Sequence, residues 1–186
     1  MAANRSALSL KGRALALLAQ REHSEPELRR KLLRHARAES AVASAGGAEP
    51  HSADHQRGDD DENLTGRVDA VVAWLRSHHY LSDERFVESR IHARVARYGN
   101  LRIRQELAQH GLALTADTAQ ALKDSELERA TEVWRRKFGE PAADAADRAR
   151  QSRFLAHRGF SAEVIAAVLR QAGRARLSGE PPSEFD

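Results

Sequence analysis

The sequence predicts an all-α protein, built as three tandem three-helix repeats in an elongated, curved body. Two features of composition and one of pattern lead there. Hydrophobic residues make up 41% of the 186-residue chain but aromatics only 5%, so any core is mostly Leu, Ala and Val. Leu, Ala, Arg and Glu are strong helix formers, and runs of Val, Ile, Thr and Tyr that favour strands are missing. The pattern is a joint that recurs three times: HH-YLS at His78–Ser82, HG-LALT at His110–Thr115 and RG-FS at Arg158–Ser161. In each, a helix stops at His79 or a glycine, an aromatic residue or Leu follows, and a hydroxyl residue opens the next helix. The apolar residue after the stop is placed to pack back onto the preceding turn. Units of this kind stack side by side.

Each element has its own signal. Leu10, Ala14, Leu17 and Leu18 recur at helical spacing between Leu8 and Glu22. Ser24 and Glu27 form a capping-box pattern, with Pro26 in the tolerated first turn and Leu28 and Leu32 as the buried stripe. Val68, Val71, Val72 and Leu75 mark a third helix. Ser82 caps a fourth, with Asp83 and Glu84 complementing its dipole and Val87, Ile91, Val95 and Tyr98 as its stripe. Gly99 stops it, and Asn100 is expected to cap the helix of Ile103 and Leu107. Helices follow from Thr115 to Leu122, from Ser125 through Trp134 and Phe138, from about Ala143 to Arg158, and from Ser161 through Leu169.

These helices group into repeats. Residues 1–37 carry the first two helices of the first repeat and 64–80 its third; 81–123 form the second repeat and 124–173 the third. Between residues 38 and 63 lies an Ala-, Ser-, Gly- and Asp-rich stretch whose only large apolar residue is Val42. By composition it buries too little to offset its ordering entropy, so it is expected to be a disordered acidic insertion. Residues 174–186 are expected to be a flexible tail.

The formal net charge of +3 hides an asymmetry. Residues 38–63 hold seven acidic residues and one basic, net −6, which leaves 29 basic against 20 acidic elsewhere, net +9. A folded part this basic points to an acidic or polyanionic partner. Enzyme signatures are missing: there is no phosphate loop, no Gly-x-Gly-x-x-Gly after a strand and no nucleophile elbow. With no Cys, disulfides, thiolate metal ligands and thiol catalysis are excluded. His51 and His55, four apart beside Asp54, lie in the insertion with no scaffold to fix a coordination sphere. No catalytic residue, cofactor or metal is therefore expected. No apolar run approaches the roughly 20 residues that span a bilayer. The N-terminal stretch reads as a first helix and not a signal peptide, and a cytoplasmic monomer is expected.

The basic residues are the candidates for function. Arg29, Arg30 and Arg34 lie on the second helix. Arg90, Arg94 and Arg97 fall within about 60° of arc at 100° per residue, flanking the Val87–Tyr98 stripe. Arg102 and Arg104 follow across a short joint, where Arg102 is spaced to pair with Glu106. Arginines on the edge of a core also drape their stems over it and pair locally. Read as a grip, they suit phosphate or an acidic protein groove. Reversal of Arg90, Arg94 and Arg97 to Glu is then expected to spare the fold.

Four segments carry a resemblance: REHSEPELRRKL (Arg21–Leu32), YLSDERFVESRI (Tyr80–Ile91), YGNLRIRQELAQHG (Tyr98–Gly111) and FLAHRGFSAEVI (Phe154–Ile165). In order and spacing they resemble RecX proteins, bacterial regulators of the RecA recombinase. Two positions depart from the family pattern: His79 stands where Gly is usual, and Asn100 where Pro is usual. The resemblance implies three three-helix units, binding to RecA and to the RecA–DNA filament, and restraint of filament growth, ATP hydrolysis and strand exchange. It also implies no cofactor, and direct DNA contact in some members. The alternative is a nucleic-acid-binding helical protein that competes with other proteins for DNA.

Overall fold

A computed structural model describes residues 8–44 and 53–178. Among these the chain is all-α, with helices α1 (Leu10–Leu18), α2 (Glu25–Ser44), α3 (Ala53–Ser77), α4 (Asp83–Val95), α5 (Asn100–Ala108), α6 (Ala116–Asp124), α7 (Glu126–Lys137), α8 (Ala145–His157) and α9 (Ala162–Ser178). The chain divides into two compact units, Met1–Phe86 and Val87–Asp186, with the division inside α4.

In the first unit, α2 and α3 form an antiparallel pair, and α1 packs on both. The core is Leu10, Ala14, Leu28, Leu32, Ala36, Leu64, Val68, Val72, Leu75 and Leu81. Burying these side chains supplies the main driving force. Three ion pairs fix the direction of the α2–α3 pair: Glu25–Arg76 at 2.7 Å, Arg29–Asp69 at 2.7 Å and Arg37–Asp61 at 2.8 Å. Residue numbers rise along one helix as they fall along the other.

Within residues 38–63, which the composition leads one to expect as disordered, the described residues lie in α2 and α3. α2 continues to Ser44, and α3 already begins at Ala53. Composition counts only buried apolar area, which is small here. It omits that Ala and Glu favour helix, and that Arg37 holds Asp61 across the pair. Residues 45–52 lie outside the described residues. The tail also begins later than expected: α9 runs to Ser178, and 179–186 lie outside the described residues.

In the second unit, α7, α8 and α9 enclose Ala130, Val133, Trp134, Leu155, Phe160, Ile165, Val168, Leu169 and Ala172. Trp134 Nε1 donates to Gln151 Oε1 at 2.7 Å, so this buried polar pair is satisfied. Ile103, Leu107 and Leu122 are buried on α5 and α6. The expected stripe of α4 is only half-buried at Val87, Ile91 and Val95; Phe86, outside that stripe and the last residue of the first unit, is fully buried.

The three joints share one hydrogen-bond scheme. His79, Gly111 and Gly159 all take left-handed φ, at 59°, 72° and 83°. Their N–H groups donate to Arg76, Ala108 and Ala156 carbonyls, at 3.0, 3.0 and 2.9 Å. The next N–H groups, of Tyr80, Leu112 and Phe160, donate five residues back to Leu75, Leu107 and Leu155 at 2.9, 3.0 and 3.2 Å. This is the Schellman arrangement. Each is followed by a hydroxyl cap: Ser82 accepts from Arg85 N–H at 3.3 Å, Thr115 from Thr118 at 3.2 Å and Ser161 from Val164 at 3.3 Å. The packed residue differs. Phe160 is buried and Leu112 half-buried. Tyr80 instead stays exposed, stacked on Trp74 at 5.5 Å, and Leu81 takes the core position.

The α4–α5 turn is built another way, and Asn100 is not its cap. Gly99 is the N-cap, without a side-chain bond, and Asn100 is the first residue of α5 and is buried. Gly99 N–H donates to Arg158 O at 2.9 Å and Leu101 N–H to Gly159 O at 3.1 Å. The backbones touch so closely that a Cβ on Gly99 would stand 2.2 Å from Gly159 O. A Cβ on Gly159 would stand 2.5 Å from Arg102 Cβ.

These contacts rank four substitutions by thermal unfolding. Gly111→Ala meets no atom and should cost only the strain of a side chain at positive φ, about 1–2 kcal/mol. Gly159→Ala adds a clash to the same strain and should cost more. Gly99→Ala should be as damaging as Gly159→Ala, although its φ of −78° is ordinary. His79→Gly should stabilise by about 0.5 kcal/mol, the relief of strain less the entropy of Gly in the unfolded chain.

Candidate functional site

The arginines singled out in the sequence separate according to what they touch. In the first unit Arg29 is tied to Asp69, while Arg30 and Arg34 are exposed one turn apart. In the second unit Arg94 forms a two-pronged bond to Glu106, with Nε to Oε2 at 3.0 Å and a terminal nitrogen to Oε1 at 3.0 Å. Arg90 reaches the same carboxylate at 3.2 Å. Glu106 is held below the usual carboxylate range by the Arg94 hydrogen bond, and Arg94 is raised in turn. Two of the three stripe arginines are thus ties between α4 and α5. Glu106 is claimed by them, and the expected Arg102–Glu106 pair gives way to other contacts of Arg102.

Those contacts centre on Tyr98. The Arg102 guanidinium lies 4.6 Å from its ring centroid, Arg158 5.6 Å and Arg94 5.9 Å. Arg102 also donates to His157 O at 3.5 Å, and Arg158 to Arg97 O at 3.3 Å. Half-buried Tyr98, read in the sequence as the end of an apolar stripe, is a platform that gathers cations.

Beneath it lies a polar knot. Arg129 of α7 donates to Val95 O at 3.3 Å, Tyr98 O at 3.0 Å, Leu122 O at 2.9 Å and Asn100 Oδ1 at 2.7 Å. It thereby binds the carbonyls that α4 leaves at its C-terminal end. Burial pushes its pKa down, against Glu126, but it remains a cation. Asn100 Nδ2 donates to Leu122 O at 3.0 Å, and Asn100 N–H donates to the buried Glu126 carboxylate at 2.9 Å. Sequence reasoning missed Asn100, Glu126 and Arg129 as a set, since 29 positions separate the ends of its longest side-chain bond.

Two grooves flank Tyr98. One, of about 410 Å³, is lined by Arg94, Tyr98, Arg102, Gln105, Glu106 and Gln109. The other, of about 450 Å³, lies where α4, α7 and α8 end and includes Arg97, Arg136, Lys137 and Arg158. The last three were not among the expected residues. Their local signals were the Arg135–Lys137 run at the end of α7 and the Arg before Gly159. Arg104 is exposed on α5.

The REHSEPELRRKL segment is an internal lock of the first unit. Glu27 is ion-paired with Arg21, and with Lys31 at 3.3 Å. His23, almost fully buried, donates from Nδ1 to Arg21 O at 2.9 Å and accepts from Lys31 Nζ at Nε2, 2.9 Å away. Burial lowers its pKa, so the ring is neutral and its tautomer follows from these partners.

Among the described residues no group of His, Asp or Glu is placed to hold a metal ion, and no helix is long and apolar enough to cross a membrane. Helices linked by these joints, with arginines gathered over a tyrosine, define an all-α protein with a cationic face. Family descriptions of RecX match here: its second three-helix domain over residues 82–115 and its third over 124–169. The chain is 46% identical to "Regulatory protein RecX" of Leptothrix cholodnii, over 92% of this chain and 94% of that protein. It is 39% identical to the protein of that name from Ralstonia nicotianae, over 98% and 99%, and 43% identical to that from Herbaspirillum seropedicae, over 90% and 94%. The chain belongs to the RecX family of regulatory proteins.

Two measurements check the site's architecture. Partial burial alone would raise the pKa of Glu27, but the Arg21 and Lys31 bonds and charges hold it at about 2, against an ordinary 4.5. A carboxylate so depressed stabilises the fold above its unfolded value, and that contribution is lost as pH falls from about 4.5 toward 2. In urea melts at pH 7, Glu27→Gln should be less stable than the wild type, with the gap closing across that window. In the second unit, Arg94→Glu should cost about 1 kcal/mol, the bond being part-exposed. Adding Glu106→Arg should recover part of it, whereas Arg104→Glu should leave stability unchanged. Reversal at Arg90 and Arg94 is therefore expected to perturb the fold, because both hold Glu106.

Proposed function

We propose that the chain binds the RecA filament, and inhibits RecA ATP hydrolysis, filament extension and strand exchange, so regulating recombinational DNA repair. The observation that carries this reading is the likeness, over nearly the whole chain, to proteins named as RecX regulators. The surface chemistry agrees with it. A regulator that works by contact needs exposed recognition groups held on rigid elements, and Arg30, Arg34, Arg97 and Arg104 meet that description. Arg29, Arg90 and Arg94 serve mainly to hold the helices that carry them. Arg102 does both, since it is exposed and also bonded at Tyr98. Bound to successive RecA protomers, the chain would block addition of the next protomer and the approach of a second DNA strand. It would act as a monomer in the cytoplasm, without a cofactor.

A second reading is competition with RecA for DNA, favoured by the net +9 outside residues 38–63. Salt separates the two, because release of counterions from phosphates gives DNA binding a steep salt dependence. Titrating the protein into RecA on single-stranded DNA should lower ATPase activity and shorten filaments at concentrations well below those that coat naked DNA. Arg97→Glu with Arg104→Glu should shift that titration at least tenfold to higher concentration, without change in the thermal midpoint. Loss of ATPase only at DNA-coating concentrations would select competition. No effect on RecA at any concentration would remove both readings.

A further inference from the structure

The groove at the ends of α4, α7 and α8 has two kinds of wall. Ala96, Val133 and Phe154 supply a small apolar floor within a mostly polar lining. Arg97, Arg136, Lys137 and Arg158 stand around that floor, and no carboxylate lines it. Glu132, one turn back on α7, reaches Arg136 at 3.1 Å. Arg158 partly serves the fold, through Arg97 O and the rings of Tyr98 and Phe154. Cations do suit helix C-termini, where the dipole is negative. That accounts for positive charge at these three helix ends. It does not account for a recess of about 450 Å³ with an apolar floor left open between them.

We propose that this groove binds an acidic peptide segment with one bulky apolar side chain set between carboxylates. The apolar side chain sits on the floor, and the carboxylates meet Arg97 and Lys137, both exposed. This rests on the reading of the chain as a protein-binding regulator and gives the chemistry of one contact. Nucleic acid fits less well, for two reasons. Phosphates have no use for an apolar floor, and bases need an open aromatic face. Here Tyr98 is already covered by Arg102 and Arg158.

The test uses the full chain and three labelled probes in fluorescence anisotropy: an acidic nonapeptide with a central Phe, the same peptide with a central Ala, and a single-stranded oligonucleotide of similar charge. The Phe peptide should bind at least tenfold more tightly than the Ala peptide, because only it uses the floor. Ala96→Trp, at an exposed position, fills the groove and should weaken the Phe peptide at least tenfold while leaving the thermal midpoint in place. Lys137→Glu should weaken both peptides and keep their ratio. Equal binding of the two peptides, no effect of Ala96→Trp, or loss of oligonucleotide rather than peptide binding in that variant would each overturn the proposal. RecA inhibition by a protein that binds neither peptide would overturn it and leave the proposed function standing. Peptide binding as described, by a protein without effect on RecA, would support it and reject the proposed function.

Discussion

The second unit turns on a place where two backbones meet without side chains between them. Gly99 and Gly159 approach until the N-terminus of α5 and the α8–α9 turn share hydrogen bonds. Helices begin with N–H groups that have no partner in their own helix. Here those of Gly99 and Leu101 find carbonyls of the α8–α9 turn, and that of Asn100 finds the Glu126 carboxylate. Arg129 then takes the carbonyls at the other side of the joint, from the end of α4. Tyr98 stands next to this knot, so its position and that of the guanidinium groups over it follow from the glycine contact. A methyl group at either glycine would push apart elements that line the grooves beside Tyr98.

The charged residues of this chain do two jobs, and only their geometry tells which. Glu25–Arg76, Arg29–Asp69 and Arg37–Asp61 set the pairing of α2 with α3. Their exposed pairing energy is small, so their value is directional, while Leu and Val burial supplies the stability. Glu106 draws Arg90 and Arg94 together in the same way. A count of basic residues therefore overstates the surface on offer to a partner. Of the arginines singled out in the sequence, those left outward are Arg30 and Arg34 on α2, Arg97 beyond α4, and Arg102 and Arg104 on α5.

Such a division suits a protein that acts by contact. The ties hold helices still, so the outward cations meet a partner at little further entropic cost. Charge speeds encounter and selects acidic surfaces, but charge alone discriminates poorly among them. An apolar recess inside a cationic rim adds a requirement for shape. In the first unit the buried, neutral His23 and its Arg21, Glu27 and Lys31 partners do for the α1–α2 turn what the polar knot does for the α4–α5 turn.

Much of the fold was legible in the residues because its rules are local. Helical periodicity, the left-handed stops at His79, Gly111 and Gly159, and the Ser82, Thr115 and Ser161 caps each depend on about six neighbouring positions, and the recurrence of the joint followed from them. Helix in the described parts of residues 38–63 was not legible, since Asp61 owes its partner to a helix 24 positions away. Nor was the end of the α4–α5 turn, where Asn100 was a plausible cap until Gly159 and Glu126 came beside it. The candidate arginines were visible as a class, but Arg90 and Arg94 became ties, and Arg136, Lys137 and Arg158 became a groove, only when α4, α7 and α8 brought their ends together. Backbone geometry is set by near neighbours, so the sequence by itself determined the helices, their joints and the family. Side-chain partnership is set by approach in space, so which charges are tied to one another and which stay outward was settled by the folded arrangement alone.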